Sequence, residues 1–316
     1  MFGPHVNRYH APGARPGIAA HVEAARREAE QEAGFALGAV ALFVGGPGRA
    51  ISLRPDEGRE LRALLARTGL RAVAHSAYCA APWRGDPDAA RFIREEAAVC
   101  ARAGIEGLVV HLPKAPVEQV MRYIAGLYAP AAGGRVRIFL ETPAVTPRET
   151  YYETPEKLAA LFREIRRRVD PGLAHFGLCL DTAHLWTSGV DLQAYAAADD
   201  WLRRLEAVSA VLPPDRVMVH LNDSLRERGV GPDAPAGRPL GRLWGGRRAA
   251  LRGSGLAAVV DYARRHGTVV ILERKPKEAL AGDYQVLREL GAGAPAGPAA
   301  EGAPGGPAAG GAGAPA

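Results

Sequence analysis

The sequence is poor in cysteine and contains no long apolar run. Its three cysteines, Cys79, Cys100 and Cys179, form no CxxC pair, and the first residues form no apolar signal segment. We therefore predict an intracellular protein without disulfides, with cytoplasm and nucleus both open. The longest apolar runs, such as 39–44 and 268–272, are far shorter than the ~20 residues of a membrane-spanning helix, which predicts a soluble protein without a membrane partner.

Lysine is also scarce, so nearly all of the positive charge is arginine. The formal net charge is +6. The planar guanidinium group pairs well with phosphate, which favours a polyanionic partner, but a compositional preference for arginine explains the same excess equally well. Lysine occurs only at Lys114, Lys157, Lys275 and Lys277.

The C-terminal segment 291–316 lacks the residues that build a core. It is almost wholly Gly, Ala and Pro, with Glu301 as its only charged residue. A disordered low-complexity tail is therefore predicted there. The chain as a whole is 47% hydrophobic and 23% charged. That composition is enough for residues 1–290 to bury a large core as one domain.

Segments of strand length alternate with helical patterns throughout residues 1–290. Helices are predicted at 154–169, which Thr154 and Pro155 open, and from Pro87 to a stop at Gly104. This alternation predicts one α/β domain, a (β/α)₈ TIM barrel. An open doubly wound sheet is the alternative, but its glycine-rich phosphate fingerprint is missing after the first strands. The predicted strands are 2–6, 39–44, 71–75, 107–111, 136–141, 176–181, 217–220 and 268–273.

Six of these strands end in a side chain that can bind a metal. Four of the five intervals between them are about one βα unit long, and the last is one unit plus an insertion. Because the C-terminal strand ends of a barrel converge on one face, the six side chains should meet there. Three imidazoles and three carboxylates suit Zn²⁺ or Mn²⁺, and their number favours at least two ions that share a carboxylate. The six residues are His75, His111, Glu141, Asp181, His220 and Glu273.

The residues around these strand ends resemble the motifs of the endonuclease IV family of apurinic/apyrimidinic (AP) endonucleases. The resemblance extends from Gly3-Pro4-His5-Val6 to about Pro276, with the family's order and spacing, and its specific parts are the segments 179–191 and 220–224. The motifs are His75-Ser76-Ala77-Tyr78, Val110-His111, Leu140-Glu141-Thr142, Cys179-Leu180-Asp181-Thr182-Ala183-His184, Ser188-Gly189-Val190-Asp191, His220-Leu221-Asn222-Asp223-Ser224 and Leu272-Glu273.

The resemblance implies a set of metal ligands. His75, His111 and Glu141 should hold one zinc, and Glu141 should bridge to a second zinc. That second ion would also be held by Asp181, His220 and Glu273.

A third site in the family pairs a histidine equivalent to His184 with a later Asp-x-His. Here Asp233 matches the acid, but Pro235 stands where the histidine belongs, and no other histidine follows before His266. Two zinc ions are therefore expected, with the third site incomplete and Mn as the alternative metal.

The activity implied is hydrolysis of DNA 5′ to an abasic site, leaving a 3′-hydroxyl, as in base excision repair. Glu141 is the predicted catalytic residue, which would bridge the metals and orient the attacking water. The expected partner is double-stranded DNA, and a monomer is expected. The predicted DNA contacts are Tyr78, Asn222, Asp223, Arg238 and Trp244.

Two other functions remain open. A sugar isomerase or epimerase of the same barrel superfamily would need one ion, held by residues equivalent to Glu141, Asp181, His220 and Glu273, and would not need His75 and His111. A catalytically impaired DNA-lesion binder would keep the barrel and bind without cleaving.

Overall fold

In the computed structural model, eight parallel strands form one sheet, in the order Phe2–Pro4, Val269–Leu272, Val217–His220, Phe176–Asp181, Arg137–Glu141, Gly107–His111, Arg71–His75 and Ala39–Phe43. The structure describes residues 1–6, 17–46, 48–77, 81–127, 136–144, 151–224, 228–229, 235–236, 243–244, 248–273 and 280–293. Two further short strands, β8 and β9, form a separate antiparallel pair. The strands are β1 Phe2–Pro4, β2 Ala39–Phe43, β3 Arg71–His75, β4 Gly107–His111, β5 Arg137–Glu141, β6 Phe176–Asp181, β7 Val217–His220, β8 Asp223–Ser224, β9 Pro235–Ala236 and β10 Val269–Leu272.

The two edges of the sheet bond to each other and close it. Gly38 N donates to Phe2 O at 2.9 Å and Val6 N to Ala41 O at 2.7 Å, and His5 bridges in parallel to Ala41. The predicted TIM barrel is confirmed, and the open sheet is excluded.

Helices cover the outside of the barrel where the sequence places their start and stop signals. The Asp86 side chain accepts from Asp88 N at 3.0 Å and from Ala89 N at 3.2 Å, and Gly104 ends the same helix with φ 76°. Thr154 caps the helix that Pro155 opens. The helices are α1 Ile18–Ala33, α2 Pro55–Thr68, α3 Pro87–Ala103, α4 Val117–Leu127, α5 Pro155–Arg168, α6 Thr182–Thr187, α7 Tyr195–Ala207, α8 Gly255–His266 and α9 Ala281–Glu289.

The core has two layers because successive side chains of a strand point to opposite faces. The larger layer lies between strands and helices, and a smaller one fills the barrel interior. Phe139 fits in that interior beside Gly107, where an added Cβ would lie 2.5 Å from its ring. The interior residues are Ala39, Ala41, Val73, Val109, Phe139, Cys179, Met218, Val269 and Ile271.

Several expectations concern features outside the strands. None of the described helices is long and apolar enough to cross a bilayer. Cys100 and Cys179 are buried free thiols, and Cys79 lies outside the described residues. The structure describes only residues 291–293 of the predicted tail. The boundary at residue 290 and the disorder beyond it therefore stay predictions.

Barrel closure predicts a strong effect of one small substitution. A Cβ added at Gly3 would lie 1.6 Å from the Ala39 carbonyl oxygen, so β1 and β2 could not keep their spacing. Gly3→Ala should lower the free energy of unfolding by about 3 kcal/mol or more, measured by urea denaturation. The matched control is Gly126→Ala, because no atom lies within 4 Å of its added Cβ in α4. That change should stabilise the protein by about 0.5–1 kcal/mol, and equal effects of the two changes would show that the close approach of β1 and β2 does not limit the size of residue 3.

Candidate metal centre

Polar side chains gather at the C-terminal mouth of the barrel because of the alternation along each strand. His75 lies two residues after Val73, and His111 two after Val109, so each follows an interior residue on the same inner face. The same relation places Glu141 two residues after Phe139. All six predicted strand-end residues have this relation to an interior residue, and the packed interior below them forms an apolar floor.

Three of the residues form a first group around one carboxylate oxygen. Glu141 Oε2 lies 2.9 Å from His111 Nε2 and 3.3 Å from His75 Nε2, and the two Nε2 atoms are 3.1 Å apart. Zinc bonds of 2.0–2.1 Å imply about 3.3 Å between ligand atoms in a tetrahedron. The spacing of the three atoms therefore fits one ion.

The other oxygen of Glu141 belongs to a second group. Glu141 Oε1 lies 2.9 Å from His220 Nδ1, and His220 Nδ1 lies 3.5 Å from Glu273 Oε1. The candidate ligand atoms of Glu141, Asp181, His220 and Glu273 all lie within 4.8 Å of one another. Glu141 is thus the one carboxylate that faces both groups, one oxygen to each.

Backbone carbonyls orient two of the rings. His75 Nδ1 lies 2.7 Å from Ser76 O, and His184 Nδ1 lies 2.7 Å from Thr142 O. A carbonyl accepts only from a protonated nitrogen, so in the neutral ring the lone pair is on Nε2. His75 Nε2 faces Glu141 and His111, which is how metal-binding histidines are commonly oriented.

Burial and mutual attraction set the charges of the cluster. Burial raises the pKa of the Glu141 carboxyl, but the His111 and His220 rings outweigh burial and hold it well below its usual range. Burial lowers the pKa of His220, and the neighbouring Cys179, Glu273 and Glu141 raise it well above its usual range. Burial raises the pKa of Asp181 to about 6 although His184 opposes it. Protons on the imidazole rings thus balance the negative charge of the buried carboxylates. A divalent cation that displaced those protons would balance the same charge.

The residues present fit one or two divalent ions. The donors are imidazole nitrogens and carboxylate oxygens, which suit Zn²⁺ and Mn²⁺. His220 Nδ1, the ring nitrogen that faces Glu141 Oε1 and Glu273 Oε1, is the donor atom that this ring offers to such an ion. Whether these residues bind metal stays a prediction, but the structure brings all six together.

Of the two residues predicted for the third site, the structure describes only His184. His184 lies beside the cluster, with Nδ1 3.8 Å from Glu141 Oε1, and is 12% exposed. Asp233 lies outside the described residues. Pro235 pairs with Ser224 in the β8–β9 ladder, in the same stretch of chain. The incomplete third site therefore stays a prediction.

The residues predicted to contact DNA lie in different environments. Asn222 is buried, and its Nδ2 donates to Asp181 Oδ2 at 2.6 Å and to Glu273 Oε2 at 3.0 Å. Asp223 is buried and accepts from Ser224 N and Leu243 N, and Trp244 is buried too. Tyr78 and Arg238 lie outside the described residues. Burial gives no support to a DNA contact for Asn222, Asp223 or Trp244, so those contacts remain predictions.

Two buried contacts behind the cluster were missed by the sequence analysis. Glu96 on α3 is fully buried and accepts from Ser76 Oγ at 2.5 Å and from Ala77 N at 3.3 Å, so it fixes the turn that follows His75. Trp83 Nε1 donates to His111 O at 2.7 Å. The sequence does contain one indication that Glu96 is buried: it lies in the apolar stripe of α3, where an acidic residue is unusual.

Glu96 also predicts a pH-dependent stability. Burial raises the pKa of this carboxyl from 4.5 to about 7. The folded state therefore binds the proton more tightly than the unfolded state, so this contribution is complete below pH 4.5 and is lost as the pH rises through 7. Relative to Glu96→Gln, the free energy of unfolding of the parent should fall by about 3 kcal/mol over that window, measured by urea denaturation at each pH.

Glu95→Gln is the control for this experiment. Glu95 precedes Glu96 on α3 and is 54% exposed. Its replacement removes the same charge from an exposed position of the same helix, so it controls for the loss of charge alone. Parallel curves for the parent and Glu96→Gln would show that Glu96 does not titrate as described.

Known proteins resemble this chain both in sequence and in structure. A sequence model of the family described as xylose isomerase-like TIM barrel matches residues 28–290. A probable AP endonuclease from African swine fever virus is 37% identical over 82% of this chain and 88% of its own length. A crystal structure described as AsfvAP:AG superposes with a TM-score of 0.85 and 33% identity, covering 92% of this chain and 98% of its own. Endonuclease IV from Thermus thermophilus superposes with a TM-score of 0.69 and 27% identity over the same shares.

Proposed function

The chain belongs to the xylose isomerase-like TIM barrel family, and we propose that it is a zinc-dependent AP endonuclease that hydrolyses the DNA backbone 5′ to an abasic site and leaves a 3′-hydroxyl. The observation that carries this proposal is the pair of ligand groups that share Glu141, with one oxygen facing each. The viral relative named a probable AP endonuclease supports the proposed reaction.

Each residue of the cluster has a definable task in this reaction. His75 and His111 would hold one ion with Glu141, while Asp181, His220 and Glu273 would hold a second. Bound divalent ions supply charge that stabilises the oxygens of a phosphodiester during in-line hydrolysis. Glu141 would link the two groups and orient the attacking water.

Other residues keep the ligands in place. Asn222 donates to both Asp181 and Glu273, which holds two carboxylates close despite their repulsion. The apolar floor, with Phe139 and Met218, closes the cluster from below and keeps water out of that side. Substrate must therefore approach from the loops above the strand ends.

The geometry weighs against the one-ion alternative. A sugar isomerase or epimerase would use the group of Glu141, Asp181, His220 and Glu273 alone. His75 and His111 instead contact each other and the shared carboxylate at 2.9 to 3.3 Å, an arrangement that a single-ion centre does not need. This observation favours the two-metal phosphodiesterase.

The test is incision of a DNA duplex that carries one abasic site. We expect metal-dependent cleavage on the 5′ side of the lesion and a product that a polymerase extends without further processing, which reports a 3′-hydroxyl. A duplex of the same sequence without the lesion is the control and should stay intact. Tight binding to the lesion without cleavage would instead identify a lesion binder, and turnover of a sugar by a one-ion protein would identify the isomerase.

A further inference from the structure

A second cavity lies at the opposite end of the barrel from the metal centre. Its volume is about 250 Å³, and the beginnings of several strands line it. Three arginines line it, each two residues before an inward-facing interior residue: Arg71 and Arg137 begin β3 and β5, and Arg216 immediately precedes β7. The N-terminal mouth of the barrel is therefore lined by three guanidinium groups.

Two of these arginines are already paired. Arg71 Nε lies 2.5 Å from Glu106 Oε1. Arg216 contacts the neighbouring Asp215 carboxylate, and its Nε donates to Leu173 O at 2.8 Å. Glu106 and Asp215 also line the cavity, so its two carboxylates balance two of the three cations.

Arg137 is the third arginine of the cavity, and neither of the two carboxylates pairs with it. It makes no ion pair within the described part of the chain, and its buried Nε has no hydrogen-bond partner there. Its guanidinium carbon lies 5.8 Å from the centre of the Phe139 ring. Burial, followed by repulsion from Arg216, lowers the pKa of Arg137, although a guanidinium group stays protonated at neutral pH. The cavity thus contains one uncompensated positive charge.

The Thr268 hydroxyl is a second, independent observation at this cavity. Thr268 lines the same cavity, is only 2% exposed, and its Oγ1 is buried without a hydrogen-bond partner in the described residues. A buried hydroxyl without a partner costs about 1–3 kcal/mol, so native proteins rarely leave one unmatched. Thr268 and Arg137 therefore line one cavity, and each has a buried polar atom without a partner in the described residues.

We propose that this cavity binds a tetrahedral oxyanion, either inorganic phosphate or the phosphate group of a small monoester. The guanidinium fork matches the spacing of phosphate oxygens, and the Thr268 hydroxyl can donate to a third oxygen. The volume of about 250 Å³ is below the usual range for larger organic ligands, which limits the occupant to a phosphate group with few further atoms.

This site is separate from the metal centre. Arg137 and Glu141 begin and end the same strand, β5, and four residues of strand extend about 13 Å. The Phe139 ring lies between them on the same inner face. Phosphate bound at one end therefore does not touch the residues at the other.

The experiment is calorimetric titration of the protein with inorganic phosphate at constant ionic strength, set with chloride. The metal centre is an alternative phosphate site, so the titration is done in the Glu141→Gln background and again after chelation. We expect binding to persist in both. Arg137→Gln should weaken it by about tenfold or more, and Thr268→Val, which keeps the shape but removes the hydroxyl, by about threefold to tenfold.

Arg163→Gln is the matched control, since it removes the same charge from an exposed position on α5. It should leave phosphate affinity unchanged. If Arg137→Gln fails to fold, Thr268→Val alone decides the result. Equal affinity in the parent and Thr268→Val, or loss of all binding in Glu141→Gln, would overturn the proposal. Glycerol 3-phosphate that binds more tightly than phosphate would identify a monoester as the occupant, and weaker binding would identify inorganic phosphate.

Discussion

Glu141→Gln should lower the rate of abasic-site incision by about 10³-fold or more while the barrel stays folded. Both oxygens of Glu141 are engaged, one 2.9 Å from His111 Nε2 and the other 2.9 Å from His220 Nδ1. Glutamine keeps the shape but replaces one oxygen with an NH₂ group and removes the charge, so it cannot bridge two cations. The measurements are single-turnover incision, metal content by elemental analysis, and circular dichroism.

The matched control for this change is Glu156→Gln. Glu156 is 56% exposed on α5 and pairs with Arg204 on the outside of the barrel. Its loss should leave both incision and metal content unchanged. A Glu141→Gln protein that cuts at the parental rate would show that Glu141 is not the bridge.

Chelation should abolish incision and destabilise the protein, and the purified protein should contain two ions per chain. Without metal, the buried cluster depends on ring protons to offset the carboxylates Glu141, Asp181 and Glu273. At a free zinc concentration about a thousandfold above the dissociation constant, bound metal stabilises the folded state by about 4 kcal/mol. Thermal unfolding before and after chelation measures this difference, and added zinc or manganese should reverse it.

His111→Ala distinguishes two ions from one. His111 Nε2 contacts Glu141 Oε2 and His75 Nε2 and is not part of the second group, whereas Glu141 faces both groups. The substitution should reduce the metal content from two ions to one and slow incision strongly. A parent with a single ion, whose content His111→Ala leaves unchanged, would contradict the two-metal proposal and favour the one-ion isomerase.

The strands and the residues that end them were predictable from the sequence. The predicted bounds 71–75, 107–111, 176–181 and 217–220 agree with β3, β4, β6 and β7. Buried parallel strands are apolar on both faces, so a histidine or acid at their end stands out in the sequence. The structure brings His75, Glu141 and His220 together because those ends converge in a barrel.

Contacts between distant residues were not predictable. Closure depends on the pairing of β1 with β2 and on space at Gly3, and a strand pattern contains no information about its partner. The amide of Asn222 faces two carboxylates, a role that its position in a motif does not show. Glu96 contacts Ser76 twenty residues earlier, because α3 packs behind β3.

The spread of the cluster along the chain affects how the protein matures. Its six candidate ligands come from strands that begin with β3 and end with β10, so no contiguous fragment short of residues 75–273 contains them all. Such long-range contacts form late, because the entropy of closing the intervening loops must be overcome first. Full metal affinity would thus appear only when the last strand joins the sheet. During synthesis, the second ligand group would lack Glu273 until β10 and the residue after it had left the ribosome.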